Sequence, residues 1–142
     1  MIRCYFPAVA SLLIGSSLVS AEEPIRFNRD IRPIIAEHCY HCHGPDPSSR
    51  KAGLRFDREE SLFAARGDEV ATVVRGKPDE SPLYQRISSA DPDEIMPPEK
   101  AHKPLSKEQI ARIRRWIAEG AQWEPHWSLI SPVRPVLPAG ET

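Results

Sequence analysis

Proline content is the feature that most limits how this chain can fold. Proline supplies 15 of the 142 residues, about twice its usual share of about 5%. Each proline fixes one backbone dihedral angle and removes a hydrogen-bond donor, so prolines interrupt helices and central strands. The sequence therefore predicts short elements joined by stiff loops, rather than long helices or a broad sheet.

Composition and charge narrow the class of protein. Hydrophobic residues make up 40% of the chain and charged residues 27%, which suits one soluble globular domain rather than a disordered chain. The net charge is -1. This value argues against a nucleic-acid partner, because such proteins usually present a strongly basic surface.

The first 21 residues are typical of a secretory signal peptide. Arg3 supplies the positive start, an apolar run covers residues 8–19, and Val19-Ser20-Ala21 ends in small residues that suit cleavage. The apolar run falls short of the roughly 20 residues that span a membrane. We therefore expect cleavage rather than a retained anchor, a periplasmic or other extracytoplasmic location, and no membrane span in the mature chain.

One five-residue segment carries the chemistry: Cys39-Tyr40-His41-Cys42-His43. This C-x-x-C-H pattern is typical of covalent haem c attachment in an exported protein. On a helix, residues i, i+3 and i+4 share a face, so both thiols and the imidazole of His43 would point the same way. The thiols can then bond the two haem vinyl groups while His43 reaches the iron.

Three other interpretations of the cysteine pair compete with haem attachment. A redox-active disulfide normally belongs to a thioredoxin-like βαβ pattern, which the sequence lacks. A structural disulfide has poor geometry across two residues of a helix. A zinc site could use both cysteines with two histidines, although no second cysteine pair or tight histidine pair completes it. The available histidines are His38, His41, His43, His102 and His126.

The sixth iron ligand should come from a proline-rich loop. Met96 is the only methionine left after signal cleavage, and it lies in Ile95-Met96-Pro97-Pro98. Two prolines stiffen this strap and favour extended backbone before them, which would hold a thioether in place. A core role for Met96 is less consistent with such a polar loop. His102 is the fallback ligand.

Four short helices are predicted around these residues. Asp30 would cap the first, and Gly44 followed by Pro45 would end it after His43. Ser106 and Gln109 form a capping box that predicts the start of the last helix. The predicted helices run from Asp30 to His43, from Asp57 or Arg58 to Arg66, from Ser81 past Ile87, and from about Lys107 to Glu119.

Several sequence blocks resemble the planctomycete-type cytochrome c domain over roughly residues 25–127. They are Phe27-Asn28-Arg29-Asp30-Ile31-Arg32-Pro33-Ile34, the haem motif with Gly44-Pro45-Asp46, Gly53-Leu54-Arg55-Phe56-Asp57, Gly76-Lys77-Pro78-Asp79-Glu80-Ser81, Met96-Pro97-Pro98 and Gly120-Ala121-Gln122-Trp123. The resemblance implies an all-α, class I cytochrome c-like fold with short helices packed around one covalently bound haem. In that family the haem domain usually begins a longer chain.

The resemblance also assigns roles to single residues. It implies thioether bonds at Cys39 and Cys42, His43 as the proximal ligand and Met96 as the distal ligand. Class I cytochromes often orient the proximal histidine with a proline carbonyl, whereas the segment 51–54 of this chain contains no proline. Another backbone carbonyl would have to take that place.

Together these features predict an exported mono-haem c-type cytochrome that transfers one electron and is not itself an enzyme. Residues 22–123 would form the haem domain, and residues 124–142 a proline-rich tail or linker. The expected partner is a redox protein or an attached downstream domain. The alternatives are a haem enzyme accessory or ligand-sensing domain with a labile sixth ligand, and a zinc or disulfide module.

Overall fold

The computed structural model describes residues 23–134, so the predicted signal peptide and the end of the tail lie outside the described part. Within that part the chain is helical, with one isolated bridge between Arg66 and Glu69 and no strand. This confirms the predicted all-α class, whereas the class I cytochrome c-like arrangement stays a prediction. The α-helices are α1 (Arg32–His38), α2 (Tyr40–His43), α3 (Glu59–Phe63), α4 (Pro82–Ser88) and α5 (Lys107–Ala118).

Shorter helical turns connect these helices. A π-helical turn at Phe27–Ile31 leads into α1, and 3₁₀ turns cover Pro78–Glu80, Glu99–Ala101 and Trp127–Leu129. No element in 23–134 exceeds the 12 residues of α5, as the proline content predicted. None of the helices described there is long and apolar enough to cross a membrane.

The first helical segment begins earlier than predicted. It starts at Phe27, so the prediction of Asp30 as its N-cap is wrong. The Asp30 carboxylate instead reaches back from inside the turn and accepts a hydrogen bond from the Arg26 N–H at 2.8 Å. A side chain one turn into a helix can satisfy a free N–H at its start in this way, and nearby Arg29 bonds the same carboxylate at 2.9 Å.

Helix α5 begins as the capping box predicted. The Ser106 hydroxyl accepts from the Gln109 N–H, and the Gln109 side chain accepts from the Ser106 N–H. The buried stripe of α5 consists of Ile113, Trp116 and Ile117. Trp116 contacts Phe27, with ring centroids 5.3 Å apart, so the two ends of the domain share one core.

Ser81 occupies the predicted cap position of α4 but makes no cap bond. Its side chain is fully buried. The hydroxyl accepts from the Val74 N–H at 2.9 Å and donates to the Lys77 carbonyl at 2.8 Å. Ser81 therefore fastens the preceding turn to the start of α4. Helix α3, at Glu59–Phe63, is shorter than the predicted helix that ended at Arg66.

The segment after α5 folds back on the first helical turn. Trp123 lies against Phe27 with ring centroids 4.3 Å apart. The Glu124 carboxylate accepts from the Asn28 N–H at 2.7 Å, and Arg32 donates to the Glu124 carbonyl at 2.7 Å. These contacts attach residues 123 and 124 to the beginning of the domain. The boundary between domain and tail stays a prediction.

The shared core gives a first prediction. Ile117 is fully buried, so Ile117→Ala should lower the free energy of unfolding by about 2–5 kcal/mol through lost burial and a residual cavity. Denaturant unfolding of the intact protein followed by tryptophan fluorescence measures this loss. Arg112→Ala, at an exposed position of the same helix, is the matched control and should change stability by less than about 0.5 kcal/mol. Equal effects of the two substitutions would contradict the core assignment.

Candidate functional site

A cavity of about 890 Å³ lies beside the C-x-x-C-H turn. Its volume falls within the range of about 300–1,000 Å³ that is usual for cofactor sites. Cys39, Cys42, His43 and Met96 all border it. The structure therefore brings the four residues singled out by sequence to one place, although their chemical roles stay predictions.

The C-x-x-C-H segment forms one turn. The prediction of a continuous helix leading into it is wrong, because the helix is interrupted just before the turn. Helix α1 ends at His38 and α2 begins at Tyr40. Between them, Cys39 has φ -119°, far from the usual helical value of about -63°. The Cys39 carbonyl still accepts from the Cys42 N–H at 3.1 Å and from the His43 N–H at 2.8 Å. These bonds hold the three residues together despite the interruption.

Backbone bonds from the following loop support this turn. The Lys51 N–H donates to the Cys42 carbonyl at 2.7 Å, and the Phe56 N–H donates to the His43 carbonyl at 2.8 Å. The rings of His43 and Phe56 also stack with centroids 5.0 Å apart. The loop 51–56 therefore holds the backbone of His43 through a hydrogen bond and its imidazole through ring stacking.

Gly44 ends the turn because no larger residue fits there. A Cβ atom at this position would lie 2.2 Å from the Tyr40 carbonyl oxygen, a separation that real Cβ atoms do not reach. The backbone of Gly44 is extended, so steric space rather than a left-handed conformation demands glycine. The predicted helix end at Gly44 is confirmed.

The surroundings of His43 favour its neutral form. Burial is the main cause that lowers the pKa of His43, and the Lys51 backbone opposes the shift. The neutral imidazole is the form that binds metals. Its Nδ1 is buried without a hydrogen bond of normal geometry. A buried nitrogen without a partner is rare in folded proteins, and the Lys51 backbone, whose hydrogen bonding opposes the pKa shift, is the candidate partner for it.

The Cys39 thiol does not resemble that of a redox-active pair. Burial, followed by the neighbouring Cys42, raises the pKa of Cys39 to about 12. Reactive thiols instead need a lowered pKa. Both cysteines are free, so the disulfide alternative is not realised in this structure. Among residues 23–134, no group of three or more histidine, cysteine or acidic side chains could hold a metal ion, so the zinc alternative finds no ligand set there.

Met96 and His102 lie in different surroundings. Met96 is half-buried at the cavity, and its N–H donates to the Arg86 carbonyl of α4 at 3.0 Å. His102 is exposed and has a left-handed backbone, with φ 51°, at the end of the 3₁₀ turn Glu99–Ala101. It is not among the residues that line the cavity. The geometry therefore favours Met96 over the fallback ligand.

Sequence reasoning missed two features of the site. The first is its apolar wall, which includes Leu54, Phe56, Leu83 and Ile87. These apolar residues come from separate segments, and nothing in the local sequence indicates that the segments meet. The second is His38, which the sequence suggests only as a member of the helical stripe before Cys39 and as an available zinc ligand. Its side chain is 7% exposed, and both ring nitrogens lie within hydrogen-bond distance of protein atoms.

An all-α domain with a C-x-x-C-H turn and a methionine at one apolar cavity is typical of c-type cytochromes. Residues 39–100 match the family model described as Planctomycete cytochrome C. The match confirms the resemblance to the planctomycete-type cytochrome c domain, and a cytochrome c domain indicates covalent haem and electron transfer. No curated protein and no solved structure matches the chain.

The tight approach at Gly44 gives a second prediction. Gly44→Ala should displace the end of the C-x-x-C-H turn and lower both the yield of matured protein and its melting temperature. Gly67→Ala is the matched control, because Gly67 has φ 63° with no atom within 4 Å of the added Cβ. It should cost only the left-handed strain of about 1–2 kcal/mol. Thermal unfolding of both variants tests this order, and a smaller loss at Gly44 would refute it.

Proposed function

We propose that this protein is an exported mono-haem c-type cytochrome that transfers single electrons through a haem iron ligated by His43 and Met96. The observation that carries the proposal is the convergence of both thiols, the imidazole and the thioether on one cavity. All four residues lie inside the segment that matches the cytochrome c family. The cavity volume and the neutral imidazole also fit such a cofactor.

Each residue has a distinct part in holding the group. Cys39 and Cys42 would each add a thiol across one vinyl group, which forms a thioether without an oxidant or a leaving group. Burial keeps the Cys39 thiol protonated at neutral pH. His43 would offer an imidazole nitrogen to the iron on one side and Met96 its sulfur on the other. When bound, the haem supplies an iron that accepts and gives up one electron.

The apolar wall would set the electrochemistry. Phe56, Leu83 and Ile87 are all buried and line the cavity. Such surroundings exclude water and disfavour added charge on the iron. Methionine ligation likewise favours a higher reduction potential than two histidines give. With both axial positions filled from the chain, substrate would have no open coordination site, so we propose electron transfer rather than catalysis.

The remaining assignments belong to the same proposal. The protein would act in the periplasm or another extracytoplasmic space and exchange electrons with a redox protein or an attached downstream domain. Its main rival is a haem enzyme accessory or ligand sensor, which would need a sixth ligand that leaves the iron readily. The two classes make opposite predictions about exogenous ligands.

Covalent attachment is tested by the intact mass of the protein under denaturing conditions, after expression with a cytochrome c maturation system. We expect residues 22–142 plus one haem. Cys39→Ser and Cys42→Ser should each keep at most one thioether, and the double variant should retain none. A wild-type mass without haem would contradict the proposal and would favour the zinc or disulfide module.

Axial ligation is tested by carbon monoxide binding to the ferrous protein. Wild type should bind slowly, because Met96 must leave first. Met96→Leu should bind carbon monoxide at least about tenfold faster, since loss of one ligand worth about 1.4 kcal/mol already gives that factor. It should also lose the long-wavelength absorption band of methionine-ligated ferric haem. His102→Ala should behave as wild type. Fast binding by wild type would instead favour the ligand-sensing rival.

A further inference from the structure

We propose that His38 is a positioning residue that latches the strap 96–103 to α1 and thereby keeps Met96 at the iron. This inference rests on the proposed function, since it concerns how the sixth ligand is held. The latch consists of Glu37, His38, Lys103 and Gln109. Its members are joined by three hydrogen bonds. Two of them, His38 and Lys103, also line the haem cavity.

The bonds of His38 define which nitrogen carries the proton. Nδ1 lies 3.0 Å from the Lys103 carbonyl oxygen, which can only accept, so Nδ1 must donate. Nε2 lies 3.2 Å from the amide nitrogen of Gln109, which donates to it. Both ring nitrogens are thus engaged by protein groups, and a Glu37 carboxylate oxygen lies 3.8 Å from Nε2. The nearly complete burial of the side chain makes loss of either bond costly.

Lys103 is held at two points by the end of α1. Its carbonyl accepts from His38, and its Nζ donates to the Glu37 carbonyl at 3.1 Å. The Glu37 carbonyl lies in the last turn of α1, where carbonyl groups lack helical partners. Lys103 therefore supplies a hydrogen-bond donor to a carbonyl group at the end of α1, and the same helix holds Lys103 in place through His38.

The opposite end of the strap is fixed to another helix. The Met96 N–H donates to the Arg86 carbonyl of α4 at 3.0 Å. Pro97 and Pro98 then limit the backbone freedom of the next residues. With α4 holding one end and His38 the other, the strap cannot move away from the cavity without breaking one of these attachments.

Gln109 connects the latch to the start of α5. Its Oε1 accepts from the Ser106 N–H at 2.8 Å while its amide nitrogen bonds His38. The capping box of α5 and the latch therefore share one side chain. This arrangement orients the Gln109 amide with its nitrogen toward Nε2 of His38.

The test compares matured holoproteins that carry His38→Phe, His38→Asn and Lys103→Met. Phenylalanine keeps the ring volume but removes both ring bonds, and asparagine keeps an N–H near the position of Nδ1. Lys103→Met removes the bond to the Glu37 carbonyl, keeps the backbone carbonyl that faces His38, and changes one side chain of the cavity lining. Lys107→Met is the control, because Lys107 is exposed and lies outside the cavity and the latch.

We expect His38→Phe to raise the rate of carbon monoxide binding to ferrous protein at least about tenfold, the factor for about 1.4 kcal/mol, which is of the order of one hydrogen bond. It should also weaken the methionine band of ferric protein. Lys103→Met should give a smaller change in the same direction, and His38→Asn should restore much of the wild-type rate. Lys107→Met should leave the rate unchanged.

The outcomes separate this inference from the proposed function. If wild type carries haem and shows the methionine band, but His38→Phe and Lys103→Met only lower the melting temperature without changing either readout, the latch is refuted. If His38→Phe does not fold, Lys103→Met and His38→Asn still decide. A wild type without haem or without the methionine band overturns the proposed function itself, and the latch falls with it.

Discussion

The turn from Cys39 to Gly44 is the constraint on which the rest of the structure depends. Its first residue continues the hydrogen bonding of α1 through the Ile35 carbonyl, and its last residue tolerates no side chain. Behind it lies the core of α1 and α5, and in front of it lies the cavity. Backbone bonds to Cys42 and His43 then determine the path of the loop 51–56. A shift in this short turn would therefore be transmitted to both sides at once.

The core and the cavity are not separate regions. Phe56, Leu83 and Ile87 belong to the hydrophobic core and also line the cavity. A small domain buries limited apolar surface of its own, so a large apolar group in the cavity would complete packing that these three side chains begin. Because a ligand that binds only the folded state stabilises it, folding and haem attachment should reinforce each other. The aromatic contacts of Phe27 with Trp116 and Trp123 belong to the same core but lie outside the cavity lining.

Features encoded by neighbouring residues were predictable from sequence. The capping box at Ser106, the helix end at Gly44 and the C-x-x-C-H turn each depend on residues a few positions apart. The predictions from sequence were wrong or incomplete where tertiary contacts determine the structure. Asp30 has the chemistry of an N-cap, but packing of Phe27 against Trp116 accompanies an earlier helix start. The role of His38 depends on Lys103 and Gln109, which are distant in sequence, so no local pattern could reveal it.

The prolines that exclude long helices would also help a loop to present the proposed iron ligand, Met96. A flexible loop would lose conformational entropy each time it placed a sulfur atom at the iron, and that loss would weaken the bond. Here Pro97 and Pro98 reduce the freedom of the unbound strap, and its ends are tied to the Arg86 carbonyl and to His38. Most of the ordering is then complete before ligation. Under the proposed function, the same Met96 on an untied strap would favour ligand exchange. The attachments of the strap, more than the identity of the sulfur ligand, would then separate an electron carrier from a ligand sensor.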